Sequence, residues 1–159
     1  MATEKQKNLI KEFLGTLSTE ESMIYSEIMD YLMQLGFTPL KCKTAEFGLD
    51  FYNSRLKQKI AKFYNRDFRL KFYASDSYSE KFSNGIKKVI EDFNGKYTGC
   101  YGCGRCKGKL RGYTYVYPDG RKVFRCGSEL LVISSITSND IPEIKELITV
   151  QNQFFLTAI

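Results

Sequence analysis

The chain contains no histidine. That absence removes the usual general base, along with the Ser/His and Cys/His nucleophile systems. No uninterrupted apolar run approaches the roughly 20 residues that a membrane-spanning helix needs. The opening residues, Met1 to Lys7, carry charge but lead into no apolar stretch of the secretory type. The expected location is therefore the cytoplasm, with no membrane partner. Also missing are a glycine-rich phosphate loop ending in Lys-Ser or Lys-Thr, a ribonucleoprotein sequence, a paired Cys and His finger, internal repeats and low-complexity tracts. Glu46, Asp50, Asp67, Asp119 and Glu129 supply carboxylates, but no spacing picks out a catalytic pair. Conventional hydrolase or transferase chemistry is not expected.

What is present suits one folded unit. A chain of 159 residues with 43% hydrophobic and 14% aromatic side chains has enough apolar material to offset the entropy of ordering it. The expected architecture is a single α+β domain over residues 1–159, with a mainly antiparallel sheet and helices at the N-terminus, centre and C-terminus. Ile10, Phe13 and Leu14 share a helical face within Glu4 to Leu14. Ser18-Thr-Glu-Glu21 reads as a capping box for a second helix with Ile24, Ile28, Met29 and Leu32 on its buried stripe and Gly36 at its end. Four β-type runs follow, at Phe37 to Lys43, Phe47 to Tyr52, Lys59 to Tyr64 and Phe68 to Tyr73. Ser75-Asp76-Ser77 offers caps for an amphipathic helix containing Phe82, Ile86, Ile90 and Phe93, which Gly95 closes. Beyond it, Gly112 to Tyr117 and Arg121 to Cys126 form a hairpin through Pro118-Asp119-Gly120, followed by a strand at Leu130 to Ile136. A last helix has Asp140 as its cap and Pro142 in its first turn.

The chemistry concentrates in the cysteines. Cys100, Cys103 and Cys106 stand at three-residue steps among Gly99, Gly102 and Gly104, which permit the tight turns and close backbone approach that thiolate ligands require. Cys126 closes the expected hairpin, and folding back would return it to the neighbourhood of Cys106. In a reducing compartment such a cluster points to metal or redox chemistry before a structural disulfide. Four sulfurs complete a tetrahedral shell, and with no histidine in the chain zinc in a structural role is the leading reading. Cys-x-x-Cys-x-x-Cys with a remote fourth cysteine also suits an iron-sulfur cluster, although no proline follows the last thiol. A redox dithiol or metal-free thiols make the third reading, although thioredoxin-type chemistry wants the motif between a strand and a helix N-terminus, whereas here a helix precedes it and a hairpin follows. Cys42 is expected to be a small buried hydrophobe.

Cys100-Tyr-Gly-Cys103-Gly104 resembles the knuckle of zinc-ribbon proteins, in which a Cys-x-x-Cys-Gly turn contributes two ligands and a hairpin supports the site. The resemblance spans about residues 99–126. It departs from the ribbon pattern in that Cys106 follows at once and Cys126 stands alone, where a ribbon has two separated pairs. The flanking helix and strands resemble those of small bacterial α+β proteins classed as domains of unknown function, which implies no activity.

Basic and aromatic residues surround the cysteines. The formal charge of +6 favours acidic partners, although four thiolates around one divalent ion would lower it by two charges and leave the chain modestly basic. Arg105, Lys107, Arg111, Arg121 and Arg125 accompany Tyr113, Tyr115 and Tyr117, which alternate along one strand. With a three-residue loop, Tyr117 would oppose Arg121 and Tyr113 would oppose Arg125. Such a face can stack bases and neutralise phosphates, so nucleic acid is a candidate partner, with another protein as the alternative. The competing reading has tyrosines half-buried under arginine stems and no ligand. A second basic stretch, Arg55, Lys57, Lys59 and Lys62, reads as a solvated edge or turn. A binding or structural protein is the expected class, with a redox protein or a small-ligand domain as alternatives.

Overall fold

The first helix, α1 (Glu4–Leu14), starts where Thr3 and Gln6 satisfy each other's amides, Thr3 N–H donating to Gln6 Oε1 at 2.8 Å and Gln6 N–H to Thr3 Oγ1 at 3.1 Å. In the computed structural model, residues 2–64, 67–92, 106 and 111–157 are described. Helix α2 (Thr19–Gln34) is capped by Ser18, whose hydroxyl accepts from Glu21 N–H at 3.2 Å. Gly36, at φ +92°, turns the chain out of it, as its position after the last apolar residue predicts.

The strands are β1 (Thr38–Lys41), β2 (Gly48–Asn53), β3 (Gln58–Tyr64), β4 (Asp67–Leu70), β5 (Gly112–Val116), β6 (Lys122–Cys126) and β7 (Leu131–Ile133). Five of them form one antiparallel sheet in the order β1-β2-β3-β4-β7, and β5 and β6 form a separate hairpin. The fold is therefore α+β with antiparallel sheets. Alternation sends Leu49, Phe51, Phe63, Phe68, Leu70, Leu131 and Ile133 to the buried face. There Tyr25 of α2 meets Phe63 and Phe68 edge-on or tilted, at centroid distances of 5.1 and 6.3 Å. The last helix, α4 (Ile141–Thr157), adds Ile144, Leu147, Ile148 and Phe155 to the same connected core.

Three expectations shift. The central helix, α3 (Glu80–Asp92), begins after Ser79 instead of at Ser75 to Ser77. The intervening residues are held by tertiary bonds: Ala74 N–H donates to Gln151 Oε1 at 2.9 Å and Ser79 N–H to Glu143 Oε2 at 2.6 Å. The expected closure of α3 at Gly95 lies outside the described residues. Asp140 does not cap α4 with its side chain. Its carboxylate turns back to accept from Thr137 N–H at 2.8 Å and from Lys81 Nζ at 2.6 Å, across a short 3-10 turn. Strand β4 stops at Leu70, because Phe72 leaves the ladder to donate its amide to Tyr113.

The connectivity has one long excursion. Strands β4 and β7 are neighbours in the sheet, yet α3, the cysteine-rich segment and the β5–β6 hairpin all lie between them in sequence. What fastens that excursion to the sheet defines the candidate site.

Candidate metal centre

The hairpin closes as its turn chemistry predicts. Gly120 N–H donates to Tyr117 O at 2.9 Å, Tyr117 N–H donates to Arg121 O at 2.8 Å, and Gly120 takes φ +88°. The register then pairs Tyr115 with Val123, Tyr113 with Arg125 and Gly112 with Cys126. Cys126 thus sits at the open end of the ribbon, opposite the residue at which the cysteine-rich segment enters it. Gly127 N–H donates to Arg111 O at 2.9 Å and continues the pairing one step further.

Two contacts bind this open end to the sheet. The Tyr113 hydroxyl, buried at 1% exposure, accepts from Phe72 N–H at 3.1 Å and donates to Glu129 O at 3.1 Å. Burial pushes its pKa well above the usual tyrosine range. The second contact is Tyr73 against Gly127, where a Cβ would stand 2.7 Å from the ring Cδ1 and 2.9 Å from Arg111 O. Only a residue without a side chain lets the ring lie there.

Cys106 and Cys126 both influence Tyr73 electrostatically. Burial raises the Tyr73 pKa first; the Gln151 amide and the Arg111 guanidinium oppose that rise, and charge on Cys106 or Cys126 adds to it. Both thiols are therefore within electrostatic reach of one phenol, although they are well separated in sequence. Both are free and partly exposed. The Cys126 sulfur also lies 3.2 Å from Ser128 Oγ. Cys100 and Cys103 lie outside the described residues. Among the described residues no three metal-ligating side chains gather at one point; of the four candidate ligands, only Cys106 and Cys126 are described.

Cys42 is elsewhere, just after the edge strand β1 at the far end of the sheet, with 7% exposure. Burial and the nearby Asp50 carboxylate push its thiol pKa up, so it holds its proton as a buried apolar side chain would.

The basic and aromatic residues divide. The expected oppositions exist, with Tyr113 against Arg125 in register and the Arg121 guanidinium 4.2 Å from the Tyr117 ring centroid. Tyr113 and Arg125 are nevertheless interior, Arg125 being 4% exposed and 3.5 Å from Glu129 Oε1. Tyr115 packs edge-on against Tyr117 at 4.9 Å, and the Tyr117 hydroxyl donates to Glu91 on α3 at 3.3 Å. Arg111 lies over the Phe154 ring at 5.0 Å. Arg105 and Lys107 lie outside the described residues. In the second basic stretch, Lys59 and Lys62 both reach Asp50, at 3.0 and 3.6 Å, on the outer face of the sheet. No helix among the described residues is long and apolar enough to cross a membrane.

Tyr73 and Gly127 carry no signal of their own in the sequence. The one available hint is that Cys126-Gly127 repeats the Cys-Gly step of Cys103-Gly104. No protein-family model, curated protein or solved structure matches the chain.

Proposed function

We propose that this chain is a cytoplasmic metal-binding α+β domain in which Cys100, Cys103, Cys106 and Cys126 hold one structural zinc ion. The supporting observation is that Cys126 lies at the open end of the β5–β6 ribbon, opposite Gly112, the residue at which the segment bearing Cys100, Cys103 and Cys106 enters the hairpin. A four-thiolate shell fills every coordination position of zinc and leaves none for an activated water. The ion would act as a clasp, joining the cysteine-rich segment to a hairpin that Tyr113 already anchors. Thiolate ligands must stay reduced, which fits the cytoplasm.

The deciding experiment is elemental analysis, a visible spectrum and X-ray absorption on protein purified without air. About one zinc per chain with four sulfur neighbours is the expected result. Visible absorption with iron would replace zinc by a cluster. Three sulfurs with one oxygen would make the site an open, Lewis-acid centre and overturn the structural role.

A further inference from the structure

An open cleft of about 500 Å³ lies between the hairpin, the segment after β4 and helix α4. Its lining includes the aromatic residues Tyr73, Phe124 and Phe154 together with Arg111, Thr114 and the exposed Asp76. That volume falls in the range of small-molecule sites, roughly 300–1,000 Å³. Three aromatic side chains offer faces and edges to a planar ring. Arg111 supplies a positive charge held in place by Phe154, and among the described residues no carboxylate lies within ion-pairing distance of it.

Asp76 decides polarity. An exposed carboxylate in the lining repels an anionic group and accepts hydrogen bonds from hydroxyl or amino groups. A ligand suited to all three features has a planar ring, an anionic end for Arg111 and a neutral, donor-rich part for Asp76. We infer that the cleft binds a nucleoside monophosphate, its phosphate on Arg111, its base against the aromatic residues and its sugar hydroxyls or base amino group toward Asp76. A guanidinium pairs with phosphate through two parallel N–H donors, which suits that assignment better than a single lysine would. One part of the lining is held in place, because Ala74 donates its amide to the fully buried Gln151. The inference does not need the metal reading: the cleft shares Tyr73 with the neighbourhood of Cys106 and Cys126, but none of its proposed ligand contacts is a cysteine.

Calorimetric titration of the protein, as purified with its metal, tests the inference with AMP and UMP as probes and with adenosine and ribose 5-phosphate as half-ligands. At least one monophosphate should bind, and both half-ligands should bind more weakly. Arg111→Gln removes both charge-assisted donors and should weaken the monophosphate by at least about tenfold while leaving adenosine unchanged. Because Arg111 also packs on Phe154, a second variant guards against misfolding: Thr114→Trp, at an exposed strand position, should fill the cleft and abolish binding without removing a core contact. Failure of both monophosphates to bind at millimolar concentration, ribose 5-phosphate binding as tightly as AMP, or affinity unchanged by Thr114→Trp would each overturn the inference.

Discussion

The ring of Tyr73 rests on the backbone of Gly127, so closely that a methyl group there would meet Cδ1 at 2.7 Å and Arg111 O at 2.9 Å. Neither obstacle is the free end of a flexible side chain. Gly127→Ala should therefore push the hairpin base from the sheet and destabilise the fold by about 1–3 kcal/mol, the usual effect of overpacking. Urea denaturation measures the loss, and a variant as stable as the parent would show that the contact is slack.

Tyr113→Phe removes one oxygen and leaves two interior partners unserved. The Phe72 amide loses its acceptor and Glu129 O loses its donor. An unmatched buried amide costs about 1–3 kcal/mol, so the urea midpoint should fall with the slope of the transition unchanged. A midpoint within error of the parent would mean that water replaces the hydroxyl.

Cys126→Ser should lower metal content and melting temperature together, because binding energy at a structural site is folding energy. Cys42→Ser, at the far edge of the sheet, should leave metal content unchanged. Equal metal in the two variants would remove Cys126 from the ligand set.

Acid should expose the role of Asp140. Burial alone would raise its pKa, but the bonds from Lys81 and Thr137, together with the Lys81 charge, outweigh burial and hold it below the ordinary carboxylate value. A group depressed in the folded state stabilises fully above its unfolded pKa and loses that contribution as pH falls through the folded one. Asp140→Asn should thus be less stable than the parent at neutral pH, with the difference shrinking in acid. A difference independent of pH would assign the loss to packing.

Much of this was readable from local pattern. The faces of α1 and α2 follow from the spacing of Phe13, Ile24, Ile28 and Leu32, and the hairpin from Pro118-Asp119-Gly120 between alternating runs. What local pattern missed depends on partners distant in the chain. Ser75 to Ser77 carry good cap side chains, but Gln151 and Glu143 hold the neighbouring amides of Ala74 and Ser79 outside a helix. Tyr113 alternates with Tyr115 and Tyr117 as any exposed strand residue would, and only the arrival of Phe72 makes it interior. Cys126 was placed by the hairpin register, whereas the seat of Tyr73 on Gly127 needed the sheet.

The long excursion between β4 and β7 has a consequence for the order of folding. Strands β1 to β4 follow one another through short connections and can pair early, while β7 must wait for a distant part of the chain to come home. Until it does, β4 is a bare edge, with backbone donors and acceptors from Phe68 to Leu70 facing outward and open to another chain in the same state. A clasp among the cysteines would shorten the closing loop, but halving a loop is worth only about 0.6 kcal/mol. Shortening alone would therefore do little to hurry β7 home, and crowded refolding is when the half-built sheet is most prone to find the wrong neighbour.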